Sequence, residues 1–521
     1  MKIKQSIFKI TLLGMTMGIA SSCTDNYLEY NTNPYEPTDL GADAYGVRST
    51  LKAMQSGVLP LDVNTFQFTD CLLGGTWGGY LADSNNGFNH RSFAVYNPQD
   101  GWIKPLMQET MTSIFPNLMI IENLTNDEVL LSVSNVVKVI GMLRVTDTYG
   151  PIPYSEVGKD GKLTAKYDSQ QEVYAKMFEE LDDAIAKLTK NRTNNFNATA
   201  DLVFGGKTEK WAKLANSLKL RMAIRIANVD PTTAKKKAEE VMASEVGPMN
   251  ANDDNAFITV NNNPLNVVMY QYNNGDSHIS ADILSYMNGY ADPRRAKYFT
   301  RSTFTTVTND YIGLRSGVEL PAGETIKQYS NMNIQADSKL MWMNAAETAF
   351  LCAEGALRGW AMGGTAESYY NKGITLSFEQ WGAQGADTYA QNAVKTPAVH
   401  KDPVNTSFSY NGVPSAITIK WDNSADFEKN LERIITQKWI ANFPLGLEAW
   451  AEFRRTGYPK LMEVIENGSN GKVESTRMAR RLNYPQIEYD ENGENLKKAI
   501  TDYLKGPDTM GTDVWWAKRS N

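Results

Sequence analysis

Apolar side chains recur at helical spacing through several long segments of the chain. The clearest segment begins at Ser169, where Glu172 completes a capping box. Its apolar stripe consists of Tyr174, Phe178, Leu181, Ile185 and Leu188. The next predicted helix carries a similar stripe at Trp211, Leu214, Leu218, Met222 and Ile226. Two neighbouring amphipathic helices are therefore expected in this part of the chain.

The same spacing predicts further helices along most of the sequence. They cover residues 102–122, 132–149, 231–246, 342–359, 365–381, 427–443 and 447–456. Short turns such as Gly363-Gly364 join neighbours into pairs, which is typical of tetratricopeptide-like helical hairpins. The pattern predicts a mainly α fold built on a helical-hairpin scaffold.

Three long polar stretches rich in glycine and aromatic residues interrupt the helices. They cover residues 62–100, 250–340 and 382–424, and one of them contains a predicted short strand at 256–260. Loops of this length usually carry function. Because helices and loops alternate, we expect one domain over residues 23–521, with a loop-rich, ligand-binding face on the helical scaffold.

The first residues have the layout of a secretory signal peptide. Lys2, Lys4 and Lys9 precede an apolar stretch at 10–20, and small residues lead to Cys23. This predicts a lipoprotein signal peptide over residues 1–22 and lipidation of Cys23, followed by a polar tether over about 23–38. Ordinary cleavage nearby, with Cys23 left as a spare thiol, is the alternative. No later segment has ~18 consecutive apolar residues, so the lipid is the predicted membrane attachment.

Charge and cysteine content narrow the choice of partners. The net charge is −7, and removal of residues 1–22 makes it −10, which argues against a nucleic-acid partner. Three cysteines do not make a disulfide framework. Cys352 lies in an apolar helical run and is expected to be a buried thiol. A bridge between Cys71 and Cys352 stays open at this point.

The sequence offers little support for catalysis. The three histidines (His90, His278 and His400) have no partner at metal-ligand spacing, and nucleophile-elbow, P-loop and dinucleotide motifs are missing. We therefore predict no metal and no cofactor. The helical carboxylate pairs Glu347/Glu354 and Glu448/Glu452 could in principle serve a glycosidase. Arg454 and Arg455 stand beside the second pair and favour an ion-pair network instead.

Two stretches are candidates for ligand binding. The first, 74–88, contains Trp77, Tyr80, Asp83, Asn85 and Asn86 among glycines, and the second, 270–276, contains Tyr270, Tyr272 and Asp276. Glycine permits unusual backbone paths that would leave the aromatic rings clear of their neighbours. Flat rings cover the C–H faces of sugars, while Asp and Asn side chains bond to hydroxyls. Packing of the aromatics beneath their own loops is the alternative.

Other conspicuous residues are assigned to the scaffold. Trp102, Trp211, Trp439 and Trp450 lie in apolar stripes and are predicted to be core residues. Asp292-Pro293-Arg294-Arg295 and Arg454-Arg455 are expected to form ion-paired corners.

Several motifs in fixed order resemble the SusD/RagB family of nutrient-binding lipoproteins. Besides the lipoprotein start and the Asn31-Thr32-Asn33-Pro34 tether, they lie at 147–156, 346–359, 448–459 and 480–488. Each motif is weak by itself, whereas the ordered set covers essentially the whole mature chain. The shared motifs are scaffold, so the resemblance supports the two candidate stretches by region only.

The resemblance implies a surface protein that captures oligosaccharides, or in some cases peptides, without cutting them. It also implies a partner, a SusC-like TonB-dependent transporter barrel in the outer membrane, on which the lipoprotein sits facing the cell exterior. We predict a non-catalytic glycan-binding lipoprotein. The alternatives are a peptide-capture protein of the same fold, a surface glycanase using Glu347 or Glu354, and a structural lid without a soluble ligand.

Overall fold

The computed structural model describes residues 39–159, 164–272, 275–307, 310–320 and 322–517. The predicted signal peptide, Cys23 and the predicted tether lie outside the described residues.

The first half of the described chain is built mainly from long helices, with two four-residue helices among them. They are α1 (Tyr45–Val58), α2 (Val63–Phe66), α3 (Asp100–Ile103), α4 (Pro105–Leu124), α5 (Glu128–Tyr149), α6 (Gln170–Lys190), α7 (Thr208–Arg225) and α8 (Pro231–Ala243). A π-helix, here π1 (Gln67–Gly75), continues directly from α2.

The second half alternates shorter helices with a second group of long ones. They are α9 (Pro264–Tyr270), α10 (Ala281–Gly289), α11 (Arg295–Tyr298), α12 (Gly323–Ile326), α13 (Ala345–Leu357), α14 (Ala366–Gln380), α15 (Ala386–Ala390), α16 (Phe427–Ala441), α17 (Gly446–Thr456), α18 (Gln486–Glu491) and α19 (Gly493–Ala499). A second π-helix (Ile500–Leu504) follows, and short 3₁₀ turns occur in several loops.

The helix starts follow the capping chemistry of the sequence. The capping box of Ser169 and Glu172 is formed, and Asp230 caps α8 ahead of Pro231. Asp127 caps α5, so this helix begins four residues before the predicted start. The predicted helix at 342–359 is wrong in its first turn, because Asn344 caps α13 and the residues before it form a strand.

Consecutive helices pack side by side, which confirms the helical-hairpin prediction. Contacts run from α1 and α4 through α5, α6 and α7 to α8, and α13 packs on both α14 and α16. One hydrophobic cluster extends from Ala42 to Ala517, and the predicted core residues Trp211, Trp439 and Trp450 belong to it. In the described part of the chain, only α5 is long and apolar enough to cross a membrane, and 83% of its apolar window is buried.

Three small antiparallel pairings tie distant segments together. The strands are β1 (Leu81–Asp83), β2 (Ile152–Pro153), β3 (Tyr167–Asp168), β4 (Ala256–Ile258), β5 (Ser277–Ile279) and β6 (Leu340–Met343). β1 pairs with β5, β2 with β3, and β4 with β6. The β1–β5 register places Leu81 opposite Ile279 and Asp83 opposite Ser277. The predicted long loops therefore contain regular structure, and the first of them is helical from Val63 to Gly75.

Buried ion pairs connect helices that are far apart in sequence. Arg221 on α7 makes two hydrogen bonds of 2.7 Å to Glu347 on α13. Arg225, one turn further, bonds to Glu448 on α17 at 2.5 and 2.6 Å. Arg455 on α17 holds Glu354 on α13 at 2.6 and 2.7 Å. We call these residues, together with Glu452, the central ion network.

The central ion network keeps its carboxylates charged in spite of burial. Burial alone would raise the pKa of Glu354, but the guanidinium groups of Arg455 and Arg358 outweigh it and hold the pKa below its usual range. Burial likewise opposes ionisation of Glu452, and Arg455, Lys438 and Arg225 lower its pKa well below the usual range. The predicted ion pairing of the Glu448/Glu452 pair is confirmed, and it includes the Glu347/Glu354 pair as well.

The two predicted ion-paired corners differ in detail. Arg294 and Asp292 form a fully buried pair at 2.6 Å, as expected. Arg454 instead donates to the backbone oxygens of Asp147 and Arg480, and its guanidinium lies 3.5 Å from the centre of the Trp450 ring.

Replacement of Arg455 tests the weight of the central ion network. Arg455→Met leaves Glu354 and Glu452 buried with fewer cations, so we expect the free energy of unfolding to fall by about 3–5 kcal/mol. Urea unfolding at neutral pH measures it. Arg192→Met is the matched control, because its pair with Glu245 is largely exposed and should contribute less than about 1 kcal/mol. Equal losses in the two variants would contradict the assignment.

Candidate functional site

The glycine-rich stretch after π1 is a close packing contact and not an open loop. A Cβ atom at Gly78 would lie 2.6 Å from the carbonyl oxygen of Gly446, and one at Gly74 would lie 3.0 Å from the backbone nitrogen of Leu447. These glycines therefore let the end of π1 pack directly on the start of α17. Gly79 has φ +72°, which turns the chain back toward β1.

This contact buries the two aromatic residues that the sequence predicts as sugar platforms. Trp77 is 1% exposed, and its Nε1 donates to the Phe93 carbonyl at 2.9 Å. Its ring centre lies 4.7 Å from that of Trp450. Tyr80 is fully buried, stacks on Trp439 and donates to the Trp439 carbonyl at 2.5 Å. The prediction that these rings stand clear of their neighbours is wrong, and neither presents a face to a ligand.

The predicted carboxylates of the two stretches also lie beneath the surface. Asp83 is buried; its burial raises the pKa to about 6, although hydrogen bonds from Ser92 and Thr76 oppose the shift. Asp276 is buried and accepts hydrogen bonds from the side-chain amides of Gln67 and Asn85. The direct contact with sugar hydroxyls predicted for these two carboxylates is therefore corrected. Asp276 instead holds the side-chain amide of Asn85, which lies closer to the surface.

The remaining predicted residues lie at or near the surface, and the structure brings the two stretches together. Asn85 is half-buried and Asn86 is exposed, while Tyr270 is 43% exposed and Tyr272 half-buried. Asn85 Nδ2 reaches Asp276 Oδ1 at 2.9 Å across the β1–β5 pair. Beside it, the Ser84 hydroxyl donates to the Gly275 carbonyl at 2.6 Å. These contacts place residues from both candidate stretches side by side at the surface, and we call this part of the surface the edge.

Aromatic residues that the sequence analysis did not propose for binding lie at this edge. Trp102 packs with its ring centre 5.3 Å from that of Phe68 and 5.0 Å from that of Phe88. All three are half-buried, and buried Phe93 supports Trp102 from behind. We call Phe68, Phe88 and Trp102 the edge cluster. Trp102 contacts the core as predicted but keeps part of its ring at the surface.

Polar side chains lie beside the edge cluster on α2 and on the turn that follows β1. Asn64 lies on α2 one turn before Phe68, and its Oδ1 accepts a hydrogen bond from the Tyr272 hydroxyl at 3.2 Å. Asn86 and Phe88 share one 3₁₀ turn, which the Asn85 side chain caps through the Gly87 nitrogen. The sequence did not predict Phe68 as a site residue, because π1 does not follow the 3.6-residue period of an α-helix.

His90 is exposed and hydrogen-bonds to Glu466, whereas the other groups considered for catalysis lie inside the protein. Glu347, Glu354 and Glu452 are buried and held by arginines in the central ion network, and Glu448 is nearly so. His278 and His400 are buried, which lowers the pKa of each to about 4. Cys71 and Cys352 are free buried thiols, so the bridge left open by the sequence does not form.

Comparisons with known proteins agree on one family. The family model described as Susd and RagB outer membrane lipoprotein matches residues 29–517. A SusD homologue from Bacteroides uniformis superposes with a TM-score of 0.87 at 47% identity, covering 92% of this chain and 100% of that one.

Two further solved structures give similar agreement. A SusD homologue from Bacteroides thetaiotaomicron has 39% identity and a TM-score of 0.86, covering 92% of this chain and 100% of that one. A chitin-binding SusD homologue from Flavobacterium johnsoniae has 37% identity and a TM-score of 0.87, covering 91% and 99%. The comparison with curated proteins gives no match.

Alanine substitutions separate the buried aromatics from the edge cluster. Trp77→Ala should lower the free energy of unfolding by about 3–5 kcal/mol, because it removes a fully buried ring from the π1–α17 contact. Trp102→Ala should cost clearly less, since part of that ring is already in water. Urea unfolding followed by circular dichroism compares them. A larger loss for Trp102→Ala would contradict the placement of the two side chains.

Proposed function

Because the chain belongs to the SusD-like family, we propose that it is a surface protein that captures oligosaccharides without cutting them. The observation that carries this proposal is the edge cluster, three half-buried aromatic rings beside surface amide groups. A site of this composition suits a neutral, polar ligand with flat apolar faces.

The chemistry of sugars suggests a separate role for the aromatic and for the polar side chains at the edge. The rings of Phe68, Phe88 and Trp102 would cover the C–H faces of the sugar rings. Asn85, Asn86, Tyr270 and Tyr272 remain the proposed polar and aromatic ligand residues, now joined by Asn64. Amide groups can both donate to and accept from hydroxyls, which suits ligands that present both functions. Asp276 supports Asn85 from below and limits its freedom before the ligand arrives.

A binding role is favoured over hydrolysis by the placement of the carboxylates. A glycosidase needs two carboxyl groups flanking one accessible bond. Glu347, Glu354, Glu448 and Glu452 instead neutralise arginines between packed helices. We propose that the protein does not cleave the ligand and passes it to a SusC-like TonB-dependent transporter barrel. Acyl chains on Cys23 would hold the protein at the outer membrane, facing the exterior.

Titration calorimetry with the mature chain tests the ligand class. Chitin oligosaccharides are the first probes, because a chitin-binding relative is 37% identical to this chain. Other neutral oligosaccharides and a set of short peptides complete the panel. Trp102→Ala should weaken binding of the preferred oligosaccharide by about 1–3 kcal/mol, the burial value of a ring, which is about five-fold or more in affinity.

Trp360→Ala provides the matched control for the calorimetry. Trp360 is also half-buried but lies in the turn after α13, beside α8, and should leave the affinity unchanged. Binding of peptides alone would replace the glycan proposal by its peptide alternative. New reducing ends after incubation with an oligosaccharide would show hydrolysis and refute the non-catalytic role.

The anchor and the partner are tested in native membranes. Cys23→Ala should abolish incorporation of labelled palmitate and release the protein from the outer-membrane fraction, because acyl burial provides the attachment. A TonB-dependent barrel should co-purify with the tagged natural sequence in near-equal amount. Retention of label in the variant would contradict lipidation at Cys23. Purification of the protein without a barrel would contradict the proposed partner.

A further inference from the structure

Asp83 is a buried carboxylate at the end of the strand pair that joins the two candidate stretches. It is the last residue of β1, is 5% exposed and lies opposite Ser277 of β5. The Thr76 hydroxyl donates to its Oδ1 at 3.3 Å, whereas its Oδ2 makes no hydrogen bond with a described residue. Within the described part of the chain, no arginine or lysine forms an ion pair with Asp83. A charge on this carboxylate is therefore poorly compensated.

A second carboxylate lies at the same end of the strand pair. Asp276 comes directly before β5, and its backbone oxygen accepts a hydrogen bond from the Ser84 nitrogen at 2.9 Å. Its carboxylate accepts from the side-chain amides of Gln67 and Asn85, which favour its ionised form. Burial raises the pKa of Asp83 to about 6, and the negative charge of Asp276 adds to the shift. Ionised Asp83 would therefore lie near another buried anion.

The other titratable groups on the elements around β1 are paired or neutral. These elements are π1, β5 and the loop residues that pack on Ala82, and with their direct partner the groups are Asp70, Cys71, His278, Tyr329 and Asp402. Arg144 pairs with Asp70 at 2.7 and 2.9 Å, and the Tyr329 hydroxyl donates to Asp402 at 2.7 Å. Burial raises the pKa of the Cys71 thiol and lowers that of His278 to about 4, so both are neutral from about pH 5 to pH 8. Asp83 is therefore the group of this cluster whose charge changes in that range.

We propose that the proton on Asp83 keeps β1 paired with β5, and that its loss makes this pair open more often and speeds the release of the ligand. A buried anion without a cation gains hydration when the strand pair opens, because Asp83 then reaches water. Opening also breaks the Ser84–Asp276 and Asn85–Asp276 contacts, so the two sides of the edge separate. Release of the ligand rests on the proposed function, whereas opening of the strand pair is independent of it.

Linkage between proton binding and opening gives the size of the effect. The closed β1–β5 pair holds Asp83 with a pKa of about 6, whereas an exposed aspartate has the ordinary value of 3.8. The closed form keeps its proton at pH values where the open form has lost it, so a rise in pH favours opening. From about pH 5 to pH 8, these two pKa values give roughly a ten-fold increase in the open fraction.

Hydrogen exchange measures the opening in the mature chain without any ligand. After correction for the intrinsic exchange rate, protection of the amides of β1, β5 and Ser84 should fall about ten-fold from about pH 5 to pH 8. Asp83→Asn carries no charge at either pH and should keep its protection constant within about two-fold. The matched control is Asp183→Asn, at an exposed residue of α6, which should show the same fall as the natural chain.

Thr76→Val provides a second variant that keeps the carboxylate. It removes a hydrogen bond that favours ionised Asp83, so protection should be retained to a higher pH than in the natural chain. The proposal is overturned if the natural chain keeps constant protection, if Asp83→Asn still loses it, or if Thr76→Val loses it at the same or a lower pH.

Displacement of a fluorescently labelled oligosaccharide by an excess of the unlabelled one measures the release. With the oligosaccharide preferred in the calorimetry, the dissociation rate of the natural chain should rise by up to about ten-fold over the same pH range and stay constant in Asp83→Asn. Equal rates for the natural chain at both pH values would overturn the link between the strand pair and release. Absence of any oligosaccharide binding would contradict the proposed function and with it the release, whereas the exchange result would still decide the opening.

Discussion

Opposite charges buried between α7, α13 and α17 set the geometry on which the other contacts depend. Arg221, Arg225 and Arg455 each meet a carboxylate on another helix or on the neighbouring turn. A buried charge without a partner is far more costly than an apolar mismatch, so a shifted helix would leave ions unpaired. The network therefore penalises every alternative register of these three helices. Its carboxylates are occupied by this structural role.

The correct placement of α17 has a second effect at its first residue. Gly446 meets the backbone of π1, and this close approach draws Trp77 and Tyr80 into the core against Trp450 and Trp439. Since π1 is then fixed, β1 leaves it in a defined direction and pairs with β5. The position of the edge thus depends on a series of contacts that starts at the central ion network.

The sequence was informative where one local signal decided the structure. The capping box at Ser169 and the stripe from Tyr174 to Leu188 fixed α6, and the arginines beside Glu448 indicated ion pairing. Predictions from the sequence were wrong where one residue pattern has two possible structural causes. Glycine frees a loop or admits a neighbouring backbone, and only the contact with distant Gly446 shows which applies at Gly78. Phe68 was missed because a π-helix leaves no simple period in the pattern of apolar residues.

The pairing of β1 with β5 joins two surface segments that are nearly two hundred residues apart in sequence, as the Asn85–Asp276 contact shows. The first segment continues into the 3₁₀ turn of Asn86–Phe88, and the second is tied to α2 through the Tyr272 hydroxyl. A substitution in one of these segments therefore changes one side of the edge that we propose for ligand binding and leaves the other side in place.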